Sequence, residues 1–250
     1  MITKIIGIDC ATQAKKTGLA LGIFNKGKGS VEAVSIGSSD GGLVSTIAEW
    51  AKQSESTLIA LDAPLGWPTD LGKELFAHDA GQPIQVESNQ LFRRETDRFV
   101  KSKIGKQPLD VGADRIARTA HAAMNLLDKV RSETGEQIPL AWEQIITEGI
   151  KAIEVYPAAT LLVHAIHIPG YKQKDNDQAR STIISKLREQ MDIPIDTSLL
   201  KQNDNVLDAV LCVLAGMDFL RGNVYHPPDL ELAKKEGWIW VRETQIEEQK

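Results

Sequence analysis

Three aspartates stand where an apolar side chain would suit the local pattern better. Asp9 closes the run "ITKIIGID", Asp62 closes "TLIALD", and Asp208 sits inside "DNVLDAVLCVLAGMDFL". Burying one ionised carboxylate without a partner is costly, and the group normally neutralises by raising its pKa. Several such groups close together also repel each other. A divalent cation reverses this balance, because its own charge is the largest in the site. Mg²⁺ is typically held by one or two carboxylates together with waters and substrate phosphates. The chemistry on offer is therefore metal-assisted phosphoryl chemistry.

All of these acids but Asp208 also have a plainer use. Asp9 and Asp62 suit strand-ending turns, but a matched apolar run before both favours a site. Asp208 lies within the first turns of an apolar helix and has no capping role. Asp204, four residues earlier, shares that helix face; it fits equally as a metal ligand or as the helix N-cap, with Asn203 competing for the cap. Glu154 alternates with Ile153 and Val155, so it fits either the acid cluster or an exposed strand face.

The elements that must position these acids can be read from periodicity. Strands are expected at 4–9, 18–24 and 31–36, with "GKGS" as a hairpin turn between the second and third. A helix with one apolar face follows at 43–51, and a fourth strand at 57–62 ends before Pro64. If the first and fourth strands are parallel neighbours joined by a right-handed crossover, Asp9 and Asp62 share one sheet edge. Residues 63–149 read as a mostly helical insertion, with helices near 90–101 and 113–130. A strand at 151–157 is followed by helices at 158–166, 177–190 and 204–220. The last of these is apolar nearly all round and should be buried. "WIWV" at 238–241 reads as a short closing strand, and 242–250 as a polar tail.

Composition sets outer bounds. The chain has 250 residues, 42% hydrophobic and 25% charged, ordinary for a soluble globular protein. No run approaches the ~18 apolar residues of a membrane span, and the N-terminus enters a strand without signal-peptide features. Two cysteines, Cys10 and Cys212, lie in apolar runs and suit a reducing compartment, so a cytoplasmic location with no membrane is expected. The net charge of −5 argues against a dedicated non-specific nucleic-acid binder but not against local positive charge. Arg94, Arg98 and Lys101 fall at i, i+4 and i+7, one helix face suited either to phosphate contact or to local ion pairs with Glu95 and Asp97. His164 and His167 come at an expected helix C-terminus, where the dipole favours imidazolium; this explains them better than metal binding.

The stretches "GIDCA", "GLALG", "IALDAPLG", "EVYPAATL", "DNVLDAVLCVLAG" and "EGWIWV" span nearly the whole chain. In that order they resemble the ribonuclease-H-like superfamily, and within it a family of predicted nucleases known as domain of unknown function 429. The resemblance implies a three-layer α/β fold, with a five-stranded mixed sheet in the order 3-2-1-4-5 and helices on both faces. It also implies that acids on strand one, at the end of strand four and on the last helix hold two divalent metals. Those positions are Asp9, Asp62 and Asp208, with Glu154 and Asp204 as further candidates. The 63–149 insertion is absent from the minimal fold, so substrate choice does not carry over.

The expected activity is Mg²⁺- or Mn²⁺-dependent hydrolysis of nucleic-acid phosphodiesters, with Arg94, Arg98 and Lys101 holding the backbone. A rival is a nucleotide-binding phosphotransferase of the actin or sugar-kinase type. That reading needs two copies of the fold, and residues 150–250 show no second "GIDCATQ"-like stretch. A third is a non-catalytic binding protein on the same fold.

Overall fold

In the computed structural model, residues 2–52, 54–112, 114–166 and 168–244 are described. Strands β1 (Ile2–Asp9), β2 (Gly18–Asn25) and β3 (Lys28–Ile36) form an antiparallel meander. Lys26 and Gly27 between the last two both have positive φ, as a tight hairpin turn matched to sheet twist requires. Helix α1 (Asp40–Lys52) crosses over, and β4 (Ser56–Asp62) returns parallel to β1. Between β4 and the next strand lie α2 (Thr69–Phe76), α3 (Ser88–Phe92), α4 (Glu95–Ile104) and α5 (Asp114–Thr134). Strand β5 (Gly149–Glu154) pairs parallel to β4. The chain continues through α6 (Pro157–Val163), α7 (Asp177–Leu187), α8 (Ser198–Gln202), α9 (Asp204–Leu220) and α10 (Leu230–Glu236). The sheet order is β3-β2-β1-β4-β5, as the resemblance implied.

Two elements differ from expectation. The helix near 90–101 is broken, with α3 ending at Phe92 and α4 starting at Glu95. "WIWV" forms a single isolated bridge, from Ile239 to Glu154, rather than a strand. The polar tail at 245–250 lies outside the described residues.

Side-chain alternation along the strands divides the apolar residues between two faces. Ile5, Leu58, Ala60 and Ile153 pack beneath α9, while Ile6, Ile8, Ile59, Leu61 and Ala152 face α1 and α5. Helix α9 crosses β1, β2 and β4, and α6 and α8 cover its outer side, so its apolar circumference is fully used. Both sheet edges are covered. Val31 N–H donates to Asp192 O and Asp192 N–H to Gly29 O, each at 2.9 Å, along β3. On β5, Ala141 N–H donates to Ala152 O at 2.8 Å and Trp240 N–H to Glu154 O at 2.9 Å. No helix among the described residues is long and apolar enough to cross a membrane.

Helix α9 lies unusually close to the strands. A Cβ on Gly7 would sit 2.1 Å from Ala209 O, and one on Gly18 would sit 2.0 Å from Asn205 O. Both clashes are with backbone, which cannot swing aside as a side-chain end can. Gly7→Ala is therefore expected to destabilise the fold by about 1–3 kcal/mol or more through overpacking. Denaturant unfolding checks this; a wild-type midpoint in the variant would contradict the close packing.

Candidate metal centre

Asp9 and Asp62 are Cα partners at the last step of the β1–β4 pairing. They lie on the parity of Ile5, Leu58 and Ala60, so both carboxylates point to the face that α9 covers. Asp208, in the second turn of α9, meets them from above. One carboxylate oxygen from each of the three can be chosen so that all lie within 4.8 Å of one another. Asp208 is buried, and the two strand acids are half-buried. Among the described residues Asp9 and Asp62 accept no hydrogen bond, whereas Asp208 has two partners. Tyr171 Oη donates to Asp208 Oδ1 at 2.9 Å, and Lys172 Nζ lies 2.5 Å from Oδ2.

The electrostatics follow from this geometry. Burial, then repulsion from Asp62 and Asp208, pushes Asp9 up to about 9. Burial and the Asp208 charge push Asp62 up to about 7. Asp208 is raised as well, because burial outweighs the pull of Lys172 and Tyr171. Lys172 holds its proton more firmly than an ordinary lysine: the cluster's negative charge outweighs its own burial.

Asp204 is not among the oxygens that converge, although its charge reaches Asp9 and Asp208. Its capping alternative is also corrected. Asn203 is the N-cap, its Oδ1 accepting from Val206 N–H at 3.1 Å, and Asp204 is the first helical residue.

Glu154 does not join the cluster. It pairs with Leu61, one step short of Asp62, and so shares the opposite face of the sheet with Ala152. Nor does it lie on an exposed strand face. It is buried and forms a two-pronged pair with Arg94, Nη1 to Oε2 and Nη2 to Oε1, both at 2.7 Å. Asp97 takes Arg94 Nε and Nη2 at 3.1 and 2.9 Å, and Leu65 N–H donates to Glu154 Oε2 at 2.9 Å.

This network also overturns the expected basic face. Arg94 is the residue before α4 rather than part of it, is 1% exposed, and has all its guanidinium nitrogens engaged within the protein. Arg98 and Lys101 remain at the surface, bonded to backbone carbonyls of their own segment, Arg93 O and Gly105 O. The three do not form one face, because the helix begins after the first of them.

His164 is buried against Asp218, Nε2 to Oδ2 at 2.7 Å, away from the triad's acids; His167 lies outside the described residues.

Tyr171 and Lys172 are the site residues that periodicity missed, because they sit in the loop between α6 and α7. Arg180 holds that loop in place. Buried, it donates to Tyr171 O at 2.6 Å, Gln173 O at 2.8 Å and Lys174 O at 3.0 Å, and pairs with Asp177. The signal available in sequence was the "GYK" turn before a helix that carries Arg180 on the same face as Ile183, Ile184 and Leu187.

Fold and site together define an α/β protein with an acidic cluster at the carboxyl edge of a mixed parallel–antiparallel sheet. The sequence profile of a family described as "Protein of unknown function (DUF429)" matches residues 7–232, and the chain belongs to that family. A comparison with curated proteins finds no match.

Two outcomes follow. Asp9 and Asp62 titrate above the unfolded carboxylate value of about 3.9, so the folded state binds their protons more tightly. Their contribution to stability is therefore complete below about pH 4 and is lost as pH rises through about 7 and about 9. Denaturant midpoints in EDTA should fall across that window, less steeply in Asp9→Asn; equal slopes would contradict the coupling. Separately, Glu154→Ala removes the acceptor of two Arg94 N–H groups and of the Leu65 N–H while Arg94 keeps Asp97, and should cost about 1–3 kcal/mol. Mn²⁺ affinity should be unchanged, which calorimetry on the folded variant checks.

Proposed function

We propose that this protein is a divalent-metal-dependent phosphodiesterase acting on nucleic acid. The observation that carries the reading is the convergence of Asp9, Asp62 and Asp208 from three elements, two of them without a hydrogen-bond donor. A purely structural role would leave such a cluster strained, since like charges at this separation resist common ionisation. The donor set fits the proposed metal: three carboxylates with oxygen ligands for a hard cation, and open accessibility at the two strand acids.

Asp9 and Asp62, at the ends of β1 and β4, together with Asp208 would hold the Mg²⁺ or Mn²⁺. When bound, such ions polarise a phosphoryl oxygen and lower the pKa of an attacking water. Tyr171 orients the Asp208 carboxylate through its hydroxyl. Lys172 has the reach and exposure to change partner, its side chain being 55% exposed while its ammonium touches Asp208. With metal on the acids it would be released toward a substrate phosphate, which the negative cluster alone would repel. Two free cysteines suit a reducing cytoplasm as the place of action.

Incubation of single-stranded and duplex oligonucleotides with Mn²⁺ or with EDTA tests the reading. Cleavage should require metal and be abolished by Asp9→Asn, Asp62→Asn and Asp208→Asn, which keep shape and remove charge. Asp204→Asn should retain most activity. Lys172→Gln should bind Mn²⁺ more tightly by calorimetry, because a competing cation has been removed, while cleaving more slowly. Full activity in Asp62→Asn would sink the assignment.

A further inference from the structure

On the α1–α5 side of the sheet, opposite the face that α9 covers, a cleft of about 550 Å³ opens between the β1–β2 loop, α1 and α5. That volume lies within the range of small-ligand sites, roughly 300–1,000 Å³. Cys10, the residue after Asp9, lines it, so the cleft meets the end of β1 from the side opposite the acid carboxylates, and a nucleic-acid strand crossing that end spans both. We infer that this cleft is a nucleoside subsite, receiving the base and sugar of the unit whose phosphate lies at the triad. The inference rests on the phosphodiesterase reading and extends it to substrate.

The walls have the chemistry that a nucleoside needs. Leu43 and Val44 of α1 and Leu126 of α5 supply an apolar surface for the face of a base. His121 and Asn125 lie one turn apart on α5, amide nitrogen to ring nitrogen 3.2 Å, and both are exposed to the cleft. Between them they offer donors and acceptors to a base edge. Arg118, one turn earlier on the same face, is exposed and makes no hydrogen bond or ion pair among the described residues. By contrast, Lys129 at the far end is matched by Asp40 at 3.2 Å. A free guanidinium at the near end of an otherwise neutral cleft is suited to a phosphate next to the one at the acids.

The loop side is fixed. Ala11 N–H donates to Thr17 Oγ1 at 3.3 Å, Thr17 N–H to Ala14 O at 2.9 Å, and Gly37 N–H to Thr17 O at 2.9 Å. Ala122 on α5 faces the opening with only a methyl group, so the space persists because nothing larger stands there. Since α5 belongs to the segment between β4 and β5, that segment would supply the substrate recognition.

The test titrates a 5′-phosphorylated single-stranded tetranucleotide, in Ca²⁺ to block turnover, against wild type, Ala122→Trp and Arg118→Gln. Ala122→Trp fills the cleft and should weaken binding roughly tenfold, the value of one base's stacking. Arg118→Gln changes only an exposed side chain, so it reports even where tryptophan disturbs the helix. It should reduce the slope of log affinity against log salt by about one. Mn²⁺ affinity should be the same in all three proteins. Equal tetranucleotide affinity and equal salt slopes in all three overturn the subsite, as does a wild type that does not bind. Metal-dependent cleavage of a longer strand by wild type then separates the two ideas: with cleavage, only the subsite fails; without it, the phosphodiesterase reading fails too.

Discussion

Because Gly7 and Gly18 carry no side chain, the backbone of α9 rests directly against β1 and the start of β2. An aspartate side chain is short, and Asp208 reaches the strand acids only because its helix sits this low. The same contact sets the helix along its axis: Ala209 O lies over Gly7 and Asn205 O over Gly18, leaving Asp208 between them above the ends of β1 and β4. Gly216 repeats the device further along, its missing Cβ leaving room for Ile5. Helix position, cluster geometry and the electrostatic strain at Asp9 and Asp62 thus share one steric origin.

The protein buries acids on both faces of its sheet and treats them differently. On the α1–α5 face, Glu154 and Asp97 enclose Arg94, with backbone donors filling the remaining lone pairs. A pair so completely bonded is expensive to break and has nothing left to offer a ligand. On the α9 face, three acids share one half-exposed lysine. The first arrangement joins the segment between β4 and β5 to the sheet. Glu236 reinforces that join by accepting from Thr69 and Glu95. The second leaves charge unbalanced where a cation can enter. One strand register step, Leu61 against Asp62, separates the two outcomes.

The strands and the central acids were legible because they depend on local signals: apolar runs ending in Asp9 and Asp62, and an otherwise apolar helix that carries Asp208 and Asp218. The family resemblance supplied the strand order that brings them together. Glu154 was misread because alternation tells which residues share a face, not which face is covered, and the helices over β5 come from distant sequence. Arg94 was misread because helical spacing was extended through a break that the Arg94–Asp97 capping contact creates. Tyr171 and Lys172 left no periodic trace, since their placement depends on Arg180 gathering backbone carbonyls, an arrangement visible only in three dimensions.

The covered margins of the sheet bear on how this protein can meet other chains. An open strand edge invites pairing with a foreign strand, and so invites both recruitment and aggregation. Here the Asp192 segment occupies hydrogen-bonding positions along β3, and the segments around Ala141 and Trp240 do the same for β5. Backbone-led docking is thereby blocked at both of these places. Company, if this protein keeps any, has to be chosen by side chains, on surfaces where sequence can change without unpicking the sheet.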